Sequence, residues 1–259
     1  GMIWGLADML TQGYVVVATD YPGLGVPGMI HPYLIGVSEG RAVLDSVRAA
    51  RAMPDAGASN RFAVWGHSQG GHASLYTGEI AASYAPDLKL VGVAAAAPAT
   101  YLIELFDADK SSPGGKDLTA MTIYSWSRLL NDPASSIVTA AAMPAYERIA
   151  QDCIESIAEF QAIDEATKPL VGEQFLKADP TEVEPWRSTM LKNTPGQAPA
   201  GAPVFLAQGT ADTTVRPEIT KQFGDHLCSQ GTRVSFVEMP GVTHTFAAKD
   251  SVHAALAWM

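Results

Sequence analysis

The chain has 259 residues, 47% of them hydrophobic, so it can form one domain, or one domain with an insertion, around a large core. Seventeen basic residues against twenty-seven acidic residues give a formal net charge of -10, which makes nucleic acids and anionic membrane surfaces unfavourable partners. The longest apolar run, Leu90 to Ala97, is too short to cross a bilayer, so no integral membrane segment is expected.

The sequence shows no grouping of His, Cys, Asp and Glu at metal-ligand spacing, no Gly-x-Gly-x-x-Gly and no phosphate-binding loop. We therefore expect neither a metal nor a cofactor. The two cysteines, Cys153 and Cys228, are compatible with one disulfide or with two separate thiols, and their spacing does not distinguish these alternatives.

Apolar strands alternate with amphipathic helices over residues 1–100, which is typical of an α/β fold with a mostly parallel sheet covered by helices on both faces. The predicted elements, in chain order, are a helix over Met2 to Gln12, a strand over Tyr14 to Thr19, a loop over Asp20 to Gly25, a helix with Val37, Val43, Leu44, Val47 and Ala50 on one apolar face, a strand over Phe62 to Trp65, a helix over Ala73 to Ala82 and a strand over Lys89 to Ala97. We interpret residues 1–100 as the first part of a core domain.

The most specific motif is Gly66-His67-Ser68-Gln69-Gly70-Gly71, between the strand Phe62 to Trp65 and the helix that follows. A Gly-x-Ser-x-Gly sequence on a strand-to-helix turn is typical of a nucleophile elbow, which holds a serine hydroxyl at the tip of a sharp turn. Glycines are expected there because the backbone is strained and neighbouring elements approach closely. The alternative is a glycine-rich turn without chemistry, but the strand before it and the helix after it favour the elbow. Ser68 is therefore the candidate nucleophile.

The α/β pattern stops between about Tyr101 and Gly201. This part contains helical segments such as Ala145 to Ala166, and prolines interrupt it repeatedly up to a proline-rich exit at Pro195 to Pro203. We interpret residues 101–201 as an inserted helical cap rather than a separate domain, because the strand pattern resumes in residues 202–259, the second part of the core.

Two strand ends in this second part carry an acid and a base. The buried-strand pattern of Ala202 to Ala207 leads into a turn with Asp212, and the alternating pattern of Arg233 to Met239 is followed by His244. A serine hydroxyl needs a base that a carboxylate orients, and elbow hydrolases have these residues in the order Ser, acid, His. We predict that Asp212 orients His244 and that His244 is the base for Ser68. The alternative for Asp212 is an ordinary turn aspartate.

The other histidines are weaker candidates for the base. His67 flanks the nucleophile and is expected to point away from it. His72, His226 and His253 lie in helical stretches and are expected to pack or to face solvent. His31 lies in a loop near the expected active site, but it precedes the nucleophile in the chain and has no acid-bearing strand end as a partner.

With these motifs in view, the chain resembles the α/β-hydrolase fold and, within it, the secretory lipase family of the lipase A type. The resemblance covers nearly the whole chain and rests on five segments: Asp20-Tyr21-Pro22-Gly23-Leu24-Gly25, His31-Pro32-Tyr33-Leu34, Asp45-Ser46-Val47-Arg48-Ala49-Ala50-Arg51, Gly66-His67-Ser68-Gln69-Gly70-Gly71 and Gly209-Thr210-Ala211-Asp212. It implies hydrolysis of carboxylic esters, often lipid-like, with the cap forming an acyl pocket and lid. It also implies a secreted or periplasmic protein whose signal segment is not in this chain.

Large apolar residues of the cap could line such a pocket, although an apolar residue on a helix is more often part of the core. The candidates are Trp126, Phe160, Trp186 and Leu191.

The resemblance further implies an oxyanion hole made of two backbone N–H groups, one from Gln69 and one from a loop after the third strand of the fold. Because Tyr14 to Thr19 corresponds to the fourth strand, strands one to three and that loop are expected to be missing from this chain. In the fold, the third strand lies between Tyr14 to Thr19 and Arg61 to Trp65. We expect the gap to be closed by another polypeptide, by direct pairing of these two strands, or by a second copy in a homo-oligomer, and we favour the last two.

The expected function is that of a serine hydrolase that cleaves small-molecule or lipid-like esters through an acyl-enzyme intermediate. Short to medium acyl esters are favoured over peptides because the cap has few charges that could hold peptide termini. An acyltransferase or a serine peptidase with the same triad is an alternative. A weakly active or inactive binding protein on a hydrolase scaffold is another, because the second oxyanion donor is expected to be missing.

Overall fold

The computed structural model describes residues 3–109, 113–149 and 175–259. In these residues one parallel sheet consists of four strands: β1 (Arg61–His67), β2 (Lys89–Ala96), β3 (Val204–Gly209) and β4 (Val234–Met239). The strands lie side by side in chain order, so β1 and β4 are the edges. Each strand closely matches a run expected from the apolar pattern, which confirms the predicted parallel sheet.

Helices connect the strands and make up most of the remaining described chain. They are α1 (Leu6–Thr11), α2 (Gly36–Ala52), α3 (Gln69–Tyr84), α4 (Leu102–Asp109), α5 (Pro113–Leu129), α6 (Ala134–Ile137), α7 (Met143–Ile149), α8 (Trp186–Lys192), α9 (Pro217–Ser229) and α10 (Ala247–Trp258), with a 3-10 turn at His244–Phe246. Helix α3 begins directly after Ser68 rather than at Ala73. The helix expected over Ala145 to Ala166 is described only as far as Ile149, and its remainder lies outside the described residues.

The chain divides into two compact units. The first, the sheet unit, comprises the chain as far as Asp20 together with Gly36–Tyr101 and Thr194–Met259, and the second, the helical unit, comprises Tyr21–Ile35 and Leu102–Asn193. The helical unit thus takes up most of the expected cap and, in addition, Tyr21–Ile35, which the sequence analysis assigned to the core domain.

A row of valines crosses the sheet and fixes its register. Val64, Val93, Val204 and Val234 lie opposite one another in consecutive strands. They belong to a core cluster with side chains of α3 and α9. Burying one such side chain contributes about 1.5–3 kcal/mol, so the row is a major part of the core of the sheet unit.

The opposite face of the sheet packs on α1 and α10, because successive side chains of a strand point to opposite faces. Trp65, next to Val64, packs against a cluster of α1 and α10 residues. The ring of Phe205, next to Val204, lies 5.7 Å from the ring of Trp258. Helices therefore cover both faces of the sheet, as predicted.

The strand expected at Tyr14 to Thr19 is absent from the sheet, so this prediction was wrong. The segment has no regular secondary structure, and Tyr14, Val15 and Val17 are each more than 40% exposed. β-Branched residues fit a pleated surface, but a strand forms only where a neighbour supplies the ladder. None of the described strands forms a hydrogen-bonded ladder with this segment, so it does not close the sheet by pairing with β1. Completion by a second copy or by another polypeptide stays a prediction.

The helical unit has its own core. Trp126 is fully buried, and its indole N–H donates to the Tyr33 carbonyl at 3.2 Å. Trp186 is also fully buried, as expected of core residues, whereas Leu191 is 48% exposed. Phe160, the fourth residue considered for an acyl pocket, lies outside the described residues.

No helix within residues 3–109, 113–149 and 175–259 is long and apolar enough to cross a membrane. Over the same part of the chain, no group of three or more His, Cys, Asp or Glu residues could hold a metal ion. Cys228 is exposed near the end of α9. Cys153 lies outside the described residues.

Candidate active site

The structure places Ser68 at the tip of a strained turn between β1 and α3. Its backbone has φ 55° and ψ -117°, a conformation that costs about 1–3 kcal/mol and persists only where the surroundings enforce it. A Cβ added to Gly66 would overlap the carbonyl of Gly70, and one added to Gly71 would come within 2.8 Å of Pro98. A Cβ on Gly70 would meet nothing within 4 Å. The close approach expected of the elbow therefore requires Gly66 and Gly71, but not Gly70.

The floor of the elbow is a row of alanines at the end of β2. Ala94, Ala95, Ala96 and Ala97 are all completely buried. The Ser68 N–H donates to the Ala96 carbonyl at 3.0 Å, and the Ala97 N–H continues the row to the Ala207 carbonyl on the next strand at 2.8 Å. Small side chains on this row allow the backbone of the turn to lie directly against the sheet.

The three residues predicted to form a triad are brought together at the carboxyl edge of the sheet, where sites of parallel α/β sheets form. His244 Nε2 lies 2.9 Å from Ser68 Oγ, and His244 Nδ1 lies 2.8 Å from Asp212 Oδ2. A carboxylate can only accept, so Nδ1 carries the proton and donates to Asp212. Nε2 of the neutral ring is then the acceptor for the serine hydroxyl. This geometry can move a proton from the hydroxyl to the imidazole.

Asp212 is held by donors to both of its carboxylate oxygens. Its side chain is completely buried, and Oδ1 accepts from the N–H groups of Thr214 and Val215 at 2.9 and 2.8 Å. Oδ2 accepts from Gln208 Nε2 at 3.1 Å in addition to His244. Hydrogen bonds to an ionised carboxylate stabilise its charged form and fix its orientation.

Gln208 is a residue that the sequence analysis missed. It is completely buried; its amide N–H group also donates to the Val215 carbonyl at 2.9 Å, and its Oε1 accepts from the Thr220 hydroxyl at 2.6 Å. These partners fix which end of the amide faces Asp212. The sequence did contain an indication, a glutamine inside the apolar strand β3. A polar side chain buried there is expected to have hydrogen-bond partners.

The turns that carry the acid and the base are joined through their backbones. The Ala211 N–H donates to the Val242 carbonyl at 3.0 Å, and the Thr210 N–H donates to the Met239 carbonyl at 3.0 Å. A Cβ on Gly209 would overlap the Val242 carbonyl, so only glycine permits this approach. The separation of Asp212 and His244 is therefore set by main-chain contacts.

His67, which was expected to point away from Ser68, lies beside the candidate base. Its Nε2 donates to the backbone carbonyl of His244 at 2.9 Å, and the two rings are 4.7 Å apart. Burial, and then the nearby His244, lower the pKa of His67 to about 4. His67 is therefore neutral at ordinary pH, and it holds the loop of His244 without placing a second positive charge beside it.

We expect the substitution His67→Gln to make the free energy of unfolding less dependent on pH between pH 6.5 and about 4. The folded pKa of His67 lies below the ordinary value of 6.5, so the unfolded chain binds more protons between pH 6.5 and about 4. Over that window the free energy of unfolding decreases as pH falls, by up to about 3 kcal/mol from this residue at 1.36 kcal/mol per pKa unit. Urea unfolding of the parent and of the variant at several pH values measures the difference.

Glu79 contributes to the pH dependence in the opposite direction. Burial raises its pKa to about 7, so its protonated form is favoured in the folded state and its contribution to the free energy of unfolding increases as pH falls. It is present in both proteins and cancels in their comparison. The matched control is His253→Gln, at an exposed position of α10. Curves for parent and His67→Gln that run parallel from pH 7 to pH 4 would contradict the expectation.

Gln69, the candidate oxyanion donor, is the first residue of α3. The first N–H groups of a helix have no acceptor inside it, and the helix dipole makes this end favourable for negative charge. The Gln69 side chain is used elsewhere: its Nε2 donates to Glu39 Oε1 at 2.8 Å.

The remaining histidines have other partners. His72 is completely buried and bonded to Glu39, and His226 Nε2 donates to the Gly196 carbonyl at 3.2 Å. His253 is exposed. His31 belongs to the helical unit, where its ring stacks on Tyr21 at 5.6 Å.

Comparison with known proteins agrees with this architecture. The family model for secretory lipases matches residues 3–259. Lipase 5 of Candida albicans is 25% identical to the chain, over 98% of this chain and 56% of the relative. A secreted triacylglycerol lipase of Malassezia globosa is 28% identical, over 89% of this chain and 50% of the relative. The chain thus spans about half the length of these relatives.

Among solved structures, Candida antarctica lipase A superposes with a TM-score of 0.68 at 20% identity, covering 82% of this chain and 51% of that one. The shared architecture confirms the predicted α/β-hydrolase fold. Since the family model spans nearly every residue, the chain belongs to the secretory lipase family.

Proposed function

We propose that the protein is a serine hydrolase that cleaves carboxylic esters through an acyl-enzyme intermediate. The observation that carries the proposal is the hydrogen-bonded series from Ser68 Oγ through His244 to the buried Asp212, with the serine on a strained elbow. Membership of the secretory lipase family supports the same reaction.

In the first step His244 Nε2 takes the hydroxyl proton as Ser68 Oγ attacks the ester carbonyl carbon. The carbonyl oxygen becomes an oxyanion, which the Gln69 N–H at the start of α3 stabilises. When the intermediate collapses, the carbon–oxygen bond to the alcohol breaks and the imidazolium returns its proton to the leaving alkoxide. A water molecule, deprotonated by His244, then attacks the acyl-enzyme and releases the acid and the free serine.

Asp212 stabilises the imidazolium that forms transiently, and the donors from Gln208, Thr214 and Val215 hold its carboxylate in place. The neutral His67 ring avoids a charge repulsion that would oppose protonation of His244. These contacts support the proposed role of His244 as the base for Ser68.

The substrate class we propose is an ester of a carboxylic acid with a lipid-like or small alcohol, with short to medium acyl chains. The secreted lipase of Malassezia globosa is named for triacylglycerols, which are esters of this kind. Secretion of this chain is proposed on the family alone. Thioester, acyl-acceptor and peptide substrates would use the same triad and are therefore included in the test.

Labelling with a fluorophosphonate tests the nucleophile directly. We expect one stoichiometric adduct on Ser68, identified by peptide mass spectrometry, and faster turnover of p-nitrophenyl butyrate than of a matched thioester or peptide anilide. Ser251 on α10, which is buried and bonded to the Ala247 carbonyl, is the internal control and should stay unlabelled. Absence of any adduct would favour a binding protein on a hydrolase scaffold. Cleavage of the peptide substrate without esterase activity would favour a peptidase.

A further inference from the structure

Two ionisable side chains of the sheet unit are completely buried and take no part in the mechanism above. Glu39 on α2 and His72 on α3 both have side chains without exposed surface. Burial of charged groups is costly unless each polar atom has a partner. Their partners therefore indicate what the pair does.

Both carboxylate oxygens of Glu39 contact the first turn of α3. Oε2 lies 2.5 Å from His72 Nδ1, and Oε1 accepts from the Gln69 amide at 2.8 Å. Residues 69 and 72 are three apart and so lie on the same face of the helix. Glu39 thus bridges two side chains, one of which belongs to the residue directly after Ser68.

Glycines on α2 make this contact possible. A Cβ on Gly36 would overlap the Tyr76 ring, and a Cβ on Gly40 would lie 2.9 Å from Ile80 and 3.1 Å from the backbone nitrogen of Thr77. The two helices therefore approach more closely than larger residues would allow. Glu39 lies between these glycines in the sequence and faces the start of α3.

Stability alone does not require a buried polar pair here. Well-packed apolar side chains of similar volume usually hold two elements together at least as well as a buried ion pair. What apolar side chains cannot supply is an acceptor for the Gln69 amide. The feature specific to Glu39 is therefore the orientation of Gln69.

The direction of the Gln69 N–H depends on two soft torsions, ψ of Ser68 and φ of Gln69. Rotation of this peptide would turn the N–H away from the oxygen that develops negative charge. Anchoring the Gln69 side chain restricts φ of this residue, and the tight turn at Ser68 restricts the other torsion.

We propose that Glu39, held by His72, is a positioning residue that fixes the Gln69 side chain and thereby aims the Gln69 N–H at the oxyanion. The inference rests on the proposed function, since it concerns the same reaction. Glu39 does not touch the substrate, and its influence on the rate passes entirely through Gln69.

The test uses Glu39→Met, which removes the acceptor for the Gln69 amide, Gln69→Met, which removes the amide, and their double variant. Both substitutions change little volume. Losing an oxyanion donor completely costs about 10²–10³ in kcat, so a misaligned donor should lower kcat roughly tenfold with KM unchanged. A trifluoromethyl ketone forms a hemiketal with the serine whose oxyanion occupies the same hole. Its inhibition constant should rise by the same factor as kcat/KM falls.

Because Glu39 acts through Gln69, the double variant should be no slower than Gln69→Met alone. The matched control is Glu79→Met, at a partly buried glutamate of α3 that accepts from the Gly196 N–H instead. The control should keep the parental kcat, and Tm values check that every variant is folded.

Three results would overturn the inference while leaving the proposed function intact. They are variants within twofold of the parental kcat, a loss of kcat without weaker trifluoromethyl ketone binding, and a double variant whose loss is the product of the single losses. A parent that neither hydrolyses esters nor labels at Ser68 would overturn the proposed function, and this inference with it.

Discussion

Replacing Ser68 by alanine is expected to abolish ester hydrolysis, with a fall in kcat of about 10⁴–10⁶, and His244→Ala should lose a similar amount. Members of a triad act as a unit, so removing either the nucleophile or its base removes most of the acceleration. The Ser68 hydroxyl bonds His244 and does not cap α3, so its loss leaves the helix intact. Steady-state rates with p-nitrophenyl butyrate and Tm values of the purified variants measure both effects.

The control for His244 is His226→Ala, which removes a partly buried imidazole that bonds the Gly196 carbonyl. It should retain nearly the parental rate. The rival base is tested by His31→Ala. If His244→Ala kept near-parental turnover while His31→Ala lost it, the assignment of the base would be wrong.

We expect Asp212→Asn to lower kcat by about 10⁴, through the tautomer of His244. The N–H groups of Thr214 and Val215 point at Oδ1, so the amide oxygen of the asparagine must take that position. Its NH₂ group then replaces Oδ2, where it faces His244 Nδ1. To accept from this NH₂ group, Nδ1 must lose its proton.

The neutral ring then carries its proton on Nε2 and presents a donor to Ser68, so it cannot take the hydroxyl proton. Gln208 cannot turn its amide oxygen toward the asparagine NH₂ group to accept from it. The Thr220 hydroxyl and the Val215 carbonyl fix the Gln208 amide with its own NH₂ group toward residue 212. The imidazole ¹⁵N chemical shifts of His244 report the tautomer directly.

The matched control for this variant is Asp225→Asn, which removes an exposed carboxylate paired with Lys221. It should leave both the rate and the His244 resonances unchanged. An Asp212→Asn protein with kcat within tenfold of the parent, or with Nδ1 still protonated, would show that the carboxylate does not set the tautomer.

The three residues proposed as the triad could be found from sequence because each follows a recognisable strand. An elbow between β1 and α3, an acid after β3 and a histidine after β4 are local patterns, and parallel strands bring their carboxyl ends to one edge. The only contacts between distant parts of the sequence that this prediction required were those of the parallel sheet itself.

Tyr14 to Thr19 shows the opposite case. Its β-branched residues favour a strand, but whether a strand forms depends on a partner, which is a property of the rest of the chain. The contacts of Gln208, His67 and Glu39 were also missed. Those of His67 and Glu39 join elements that are distant in sequence. That of Gln208 depends on how the turn after β3 brings Asp212 back toward a residue only four positions away.

The alanine row at the end of β2 limits how this protein can diversify. Interiors are close-packed, and adding even a methylene group where there is no free volume shifts the backbone by forcing strain on its neighbours. At Ala96 that shift would reach Ser68, the proposed nucleophile, directly, because the Ser68 N–H donates to the Ala96 carbonyl. For the ester hydrolase proposed here, a lineage can therefore change its preferred substrate through residues that meet that substrate, but it has almost no freedom to do so by remodelling the support under Ser68.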